Sequence, residues 1–261
     1  DGRLWLSDMH DHKVIAVDET GVAESIVEVP AWPSGLGWMP DGSLLIVAMR
    51  ERKLLRWVDG ELEEHADLSA LASFHCNDMV VDAHGRAYVG HFGFDLHNQA
   101  DFKAAELIAV EPDGSARIAA RDMAFPNGAV IAPDGKTLIA GETFAGRLTA
   151  LDIDSEGDLS NRRVWAQLPQ GVVPDGICLD VDMGIWVASP TSNEVLRALE
   201  GGEITDRISL DQGAFACMLG GADRRRLFVL TAADSDPETC RAKRSARIEY
   251  VDVEIPGGGL P

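Results

Sequence analysis

Basic residues are scarce in this chain: 23 Lys and Arg stand against 43 Asp and Glu, a formal charge of −20. A field of that sign repels phosphate backbones and anionic lipid headgroups, which argues against nucleic-acid and membrane partners. Cysteine is scarce as well. Cys76, Cys178, Cys217 and Cys240 include no CxxC pair, so a zinc cluster is not expected; free thiols in a reducing, cytoplasmic setting are. No run of about 18 apolar residues offers a transmembrane helix, no GxSxG string marks a nucleophile elbow, and no long stretch carries a helical period. The hydrophobic content of 46% over 261 residues suffices for a sizeable core.

What the chain does have is repetition. Six segments join a small-turn signal to an apolar strand: Asp1-Gly2-Arg3-Leu4, Asp41-Gly42-Ser43-Leu44, His84-Gly85-Arg86-Ala87, Asp134-Gly135-Lys136-Thr137, Asp182-Met183-Gly184-Ile185 and Asp223-Arg224-Arg225-Arg226. Asp-Gly between apolar runs is a strong hairpin signal, because Gly supplies positive φ without steric cost. The copies recur about every 40 to 50 residues, the period of propeller blades. Third strands are expected over Val14–Asp18, Leu54–Trp57, Leu107–Val110, Leu148–Leu151 and Val195–Ala198, with short fourth strands after them, and Arg247–Val253 reads as a further strand. The expectation is an all-β fold, a six-bladed β-propeller forming a single domain over residues 1–261, whose first blade lacks its innermost strand in this numbering.

Stepping back eight residues from each turn reaches Ser34, Asn77, Asn127, Asp175 and Ala216, each at the start of an innermost strand. In a propeller those starts ring one mouth of the central channel. Asn77, Asn127 and Asp175 would therefore bring oxygen donors from separate blades to a common centre, as a hard divalent cation requires. Asn and Asp before Gly are also ordinary turn formers; recurrence at one repeat-equivalent position favours a site. His10-Asp11-His12 looks like a metal pair but reads better as a loop after a strand. Arg50, Ser189 and Thr191 fall near the same mouth. Met49, Met79, Met123, Met183 and Met218 read as core or pocket filler.

Phe74-His75-Cys76-Asn77-Asp78, Phe125-Pro126-Asn127-Gly128 and Val173-Pro174-Asp175-Gly176-Ile177, in this order, resemble the SMP-30/gluconolactonase/LRE-like family over nearly the whole chain. The resemblance implies a six-bladed propeller that binds one divalent cation, Ca²⁺ first and Zn²⁺, Mn²⁺ or Mg²⁺ otherwise, and hydrolyses a lactone. It implies Asn127 and Asp175 as metal ligands, Asn77 as the holder of a bound water or substrate, and Asp175 as catalytic base. The family's further ligand, a Glu in a Glu-Gly-Pro string ahead of the first turn, would fall before Asp1. His75 stands where the family commonly has Arg, and so lacks a guanidinium fork for a polyhydroxylated substrate. Asp95 matches a region of acidic substrate contact, and His91 and Glu142 at the ends of second strands are further candidates for substrate contact.

The chemistry expected is attack of an activated water on a lactone carbonyl, with a carboxylate accepting the proton. A phosphotriesterase-type hydrolase on the same metal site and a non-catalytic ligand-binding propeller are the alternatives, because fold does not fix function. The partner expected is a small-molecule lactone, acting on a monomer or weak homodimer.

Overall fold

The computed structural model describes residues 2–96 and 98–259. Six antiparallel sheets follow one another along the chain. The first holds β1 (Leu4–Asp8), β2 (Lys13–Val17) and β3 (Ala23–Glu28); the second β4 (Pro33–Trp38), β5 (Leu44–Ala48), β6 (Lys53–Val58) and β7 (Glu61–Asp67). The third holds β8 (Cys76–Val81), β9 (Ala87–His91), β10 (Ala105–Val110) and β11 (Ala116–Met123); the fourth β12 (Pro126–Ile131), β13 (Thr137–Glu142), β14 (Arg147–Ile153) and β15 (Leu159–Gln167). The fifth holds β16 (Ile177–Leu179), β17 (Ile185–Ser189), β18 (Glu194–Ala198) and β19 (Ile204–Ser209); the sixth β20 (Gly213–Gly220), β21 (Arg226–Ala232) and β22 (Arg247–Asp252). Each strand pairs with its sequence neighbour, the up-and-down order of a propeller blade. The molecule is a six-bladed β-propeller. In the first sheet β1 corresponds to the second strand of the others, so among the described residues no strand lies inside it, as the turn alignment anticipates.

The core is divided into layers, one between each pair of consecutive sheets. Val14 and Trp5 meet Leu44 and Ile46; Leu45 and Val47 meet Met79 and Val89; Tyr88 and Leu107 meet Leu138 and Leu151. Ile139, Leu148 and Trp165 then meet Ile177 and Val187, and Trp186 meets Leu219, Leu227 and Val229. The second strands β5, β9, β13 and β17 and the third strands β10, β14 and β18 are therefore largely buried on both faces and read as near-continuous apolar runs, whereas β1 and β22 in the first and sixth sheets are half-buried or exposed. Outer strands alternate with solvent. That explains one difference from expectation: the fourth strands are long, β15 reaching nine residues and β11 eight, although polar stretches such as Ser160-Asn161-Arg162-Arg163 hide them in the sequence.

The turns repeat more faithfully than their residues. Gly2, Gly42, Gly85 and Gly135 have φ of 71–86°, and the fifth and sixth copies adopt the same left-handed conformation at Met183 (φ 64°) and Arg224 (φ 58°). Met183 is thus a turn residue, 36% exposed, rather than the core filler expected, while Met49, Met79 and Met123 are buried. The single α-helix among the described residues, α1 (Pro237–Lys243), is capped by Asp236 accepting from Thr239 N, with Pro237 in its first turn. No helix there is long and apolar enough to cross a membrane. All four cysteines are free thiols; Cys178 and Cys217 lie with sulfurs 3.9 Å apart between the fifth and sixth sheets.

A β-carbon in the left-handed region costs about 1–2 kcal/mol, partly offset by the greater freedom of an unfolded glycine. Met183→Gly is therefore expected to raise stability by about 0.5–1 kcal/mol and Gly42→Ala to lower it by about 1 kcal/mol, read from urea unfolding midpoints.

Candidate functional site

Four of the five inner strands are irregular where they reach the channel, β16 being the exception. The pairing register shifts between Pro33 and Leu36 in β4, Cys76 and Met79 in β8, Pro126 and Ala129 in β12, and Ala214 and Ala216 in β20. A bulge bends the strand and re-aims the side chain within it. Ser34, Asn77 and Asn127 sit inside these shifts, Asp175 just before β16, and Ala216 at the end of its own. All five line one cavity of about 2460 Å³ that takes in the axis and continues between the first and sixth sheets, past Trp5, Ile15, Phe228 and Tyr250.

The residue after each position shows how closely the blades approach. A β-carbon on Gly128 would come within 2.5 Å of Asp175 O, one on Gly176 within 2.8 Å of Ala216 Cα, and one on Gly35 within 2.8 Å of Asp78 Oδ1. Gly128 N donates to Asp175 O at 3.2 Å and Gly176 N to Phe215 O at 2.9 Å, tying consecutive inner strands together at the floor of the cavity. In the third sheet the glycine is replaced by Asp78, whose carboxylate occupies the room that Gly35 leaves open.

The floor is a connected polar network. Asn77 Nδ2 donates to Asn127 Oδ1 at 2.8 Å, and Ser34 Oγ donates to Asn77 Oδ1 at 3.3 Å. Asn127 Nδ2 donates to Thr143 Oγ1 at 3.2 Å and also hydrogen-bonds the Asp175 carboxylate, while Thr143 Oγ1 donates to Pro174 O at 2.8 Å. The three residues singled out from the repeats are thus brought together. Asp78 is the member that the sequence analysis passed over; its signal was the break in the Ser-Gly, Asn-Gly, Asp-Gly succession.

Two carboxylates on one enclosed floor cannot both carry charge cheaply. Burial, and then the neighbouring Asp78 charge, push Asp175 up to about 7 against the pull of the Asn127 hydrogen bond; burial pushes Asp78 up to about 6, opposed by the bond from Met79 N. A cation placed among them relieves this repulsion. The donors are amide and carboxylate oxygens, the set a hard cation takes; with two carboxylates, the floor would hold an ion through its amides as much as through charge, and among the described residues no group of three or more His, Cys, Asp or Glu gathers, at the floor or away from it. The floor fits such an ion.

The remaining candidates are placed differently. His75 and Asp95 line a second cavity of about 590 Å³ with Arg50, Phe74 and Asn98, which shares Trp32 with the axial cavity. Asp95 there accepts from Asn98 N and Nδ2, and the His75 ring stacks on Phe74. His91 is fully buried. Its Nε2 lies 3.0 Å from Glu106 Oε2 and its Nδ1 accepts from Gly93 N; burial lowers its pKa despite Glu106. Glu142 is also fully buried, accepting from Thr149, Ala124 N, Arg147 and Arg162. Burial works against its charge, but these donors and cations outweigh it and hold the pKa below the ordinary value. Both side chains point into their blades, so the substrate contact expected of His91 and Glu142 gives way to a structural place: the second strand's alternation turns them from the channel. His10 Nε2 reaches Ser235 O and His12 Nδ1 reaches Ala31 O, so the His-Asp-His string holds loops.

Fold and floor together define a six-bladed propeller with a ring of oxygen donors at one mouth of its channel. The chain belongs to the SMP-30/gluconolactonase/LRE-like family, whose profile matches residues 1–233. Among its relatives, regucalcin of Xenopus laevis is 26% identical over 94% of this chain and 84% of its own length. The 6-deoxy-6-sulfogluconolactonase of Pseudomonas putida is 24% identical over 99% and 89%. Among solved structures, a calcium-binding regucalcin of Agrobacterium tumefaciens superposes with a TM-score of 0.81 at 21% identity, covering 100% of this chain and 89% of that one. A gluconolactonase of Xanthomonas campestris gives 0.75 at 23%, covering 98% and 82%.

Two outcomes are expected. Both floor carboxyls hold protons more tightly in the folded than in the unfolded chain, so their contribution to stability falls as pH rises from the ordinary value of 3.8 through about 6 and about 7. In chelator, the thermal midpoint of Asp78→Asn relative to the parent should therefore rise between pH 5 and pH 8, and added Ca²⁺ should stabilise the parent more at pH 8 than at pH 5. Glu142→Gln should cost about 2 kcal/mol in urea unfolding. That is below the roughly 3–5 kcal/mol of a pair buried on both sides, because Arg147 and Arg162 keep 29% and 31% of their side-chain surface in water.

Proposed function

We propose that this protein is a metal-dependent lactonase, opening a small lactone by hydrolysis at the channel floor. The observation that carries the reading is the convergence of Asn77, Asn127 and Asp175 from three separate blades, with Asp78 beside them. The relatives named gluconolactonase and 6-deoxy-6-sulfogluconolactonase support the reaction, and those named regucalcin and described as calcium-binding support the ion.

Asn77, Asn127 and Asp175 would hold the cation through their side-chain oxygens. When bound, it supplies a Lewis acid for the lactone carbonyl and lowers the pKa of a bound water. The chain's own part is threefold. The Asn77–Asn127–Thr143 hydrogen bonds fix the amide donors before anything binds, which removes a reorganisation cost. Asp175 and Asp78 are the groups on the floor able to take the proton of an attacking water; burial raises both in the metal-free floor, and beside a bound cation they would be drawn down again into the ionised form that a base requires. The glycines between the inner strands hold the donors of neighbouring blades at a fixed spacing. Water adds to the carbonyl carbon, the ring C–O bond breaks, and the products are a carboxylate and a hydroxyl on one chain.

The test is hydrolysis of a lactone panel by chelator-treated protein, with and without Ca²⁺, Mg²⁺, Mn²⁺ or Zn²⁺. Turnover is expected to require the ion and to fall about a hundredfold or more in Asp175→Ala. Turnover indifferent to chelation and to that substitution would overturn the reading; tight ion binding with no turnover of lactones or phosphotriesters would make the propeller a binder.

A further inference from the structure

One part of the cavity wall beside the polar floor is apolar, whereas His10, Asp234, Arg241 and Arg244 line another. Trp32, Met49, Phe92 and Phe125 form one buried cluster lining the same cavity as Asn77, Asn127 and Asp175. From it a run of rings leads outward. Phe92 lies 4.4 Å from Phe125 between centroids, Phe125 stacks on Phe144 at 5.7 Å, Phe144 meets Phe94 at 5.4 Å, and Phe94 meets Phe102 at 5.6 Å. The inner end is 5–6% exposed, whereas Phe144 and Phe102 are 49% and 56% exposed. Phe125 stands two residues before Asn127 with φ of 61°, a conformation that bulky residues avoid, so the backbone bears strain to place that ring directly over the floor.

Several polar groups near the rings are engaged within the protein, although His10 Nδ1 is buried without a hydrogen-bond partner among the described residues. Thr143 Oγ1 donates to Pro174 O, Thr191 Oγ1 to Gly171 O at 2.8 Å and Ser7 Oγ to Ser34 O at 2.6 Å; His10 Nε2 is taken by Ser235 O, and His91 and Glu142 face into their sheets. A polyhydroxylated ring would lose its water for few new partners, at a cost for every hydroxyl left unmatched. An alkyl or aryl group would instead cover exposed phenylalanine surface.

We infer that the site selects lactones bearing an apolar alkyl or aryl substituent, the carbonyl resting on the Asn77–Asn127–Asp175 floor and the substituent lying along Phe92, Phe125 and Phe144. This rests on the hydrolase reading above for its reaction, but the apolar subsite can be measured without turnover. The first arm compares kcat/KM for straight-chain γ-lactones, from γ-butyrolactone to γ-decalactone, and for glucono-δ-lactone, all with Ca²⁺. The second arm titrates N-alkylpyrrolidones, lactams that are not hydrolysed, by calorimetry. Both kcat/KM and lactam affinity should rise about two- to fourfold per methylene, and Phe144→Ser, at a half-exposed position, should flatten both slopes. A rise in lactam affinity without any lactone turnover would uphold the apolar site while sinking the lactonase reading. Flat slopes in both arms, or glucono-δ-lactone preferred over every alkyl lactone, would overturn the inference. So would a self-association abolished by Phe144→Ser with no slope, which would assign the rings to contact between copies.

Discussion

The close approach of inner strands at the axis is the constraint on which the site depends. Sheets in a propeller splay outward, so their first strands approach most closely, and here they meet backbone to backbone. Gly128 N on Asp175 O and Gly176 N on Phe215 O are hydrogen bonds between blades, and each exists because no β-carbon intervenes. The residue before each of these glycines is then fixed against its counterpart in the next blade to within a side chain's length. Asn127 reaches both Asn77 and Asp175 for that reason. The register shifts complete the arrangement by turning each donor out of the pleat and toward the channel.

Asp78 shows the same constraint worked in reverse. Its place in the repeat calls for glycine, and the carboxylate is accommodated because Gly35 on the preceding blade has no side chain. The consequence is electrostatic. Two acids share an enclosed floor with amides and a hydroxyl as their neighbours, and both are held near neutral pH as proton carriers. By contrast, acids in the blades are matched with arginine: Asp180 with Arg197 at 2.6 Å, Asp82 with Arg86 at 3.2 Å, Glu142 with Arg147 and Arg162. A protein with this many acidic groups pairs those it buries in its sheets and leaves the channel pair without a counterion of its own. An unmatched buried pair lowers stability in the metal-free protein and is where an ion gains most by binding.

How much of this was legible depended on which physical signal carried it. The blade count followed from turns, since left-handed φ demands Gly and the Asp-Gly strings recur; even Met183 and Arg224, which break the residue rule, keep the backbone rule. The ring of Asn77, Asn127 and Asp175 followed from counting back from those turns, because a propeller converts repeat-equivalent positions into spatial neighbours. His91 and Glu142 do end their second strands, as expected, but a place at a strand end does not say which face the final side chain takes. Their partners, Glu106, Arg147 and Arg162, come from neighbouring strands of the same sheet, which no local string displays. The long outer strands escaped notice for want of an apolar face.

The floor and the wall answer different questions. The floor is built from residues at equivalent positions in successive blades, and its chemistry is set by the symmetry of the fold: oxygen donors meet because blades repeat. The wall is assembled from loops that do not repeat, Phe92, Phe94 and Phe102 after β9 and Phe125 and Phe144 on either side of the β12–β13 hairpin, so it is free to vary while the floor stays put. Reaction type belongs to the first and substrate choice to the second. On the proposed reading, a chain with these floor strings can carry a wall suited to a less polar substrate than a sugar lactone. His75, which offers no guanidinium fork and instead stacks on Phe74 beside Phe92, fits an apolar mouth better than a sugar-binding one.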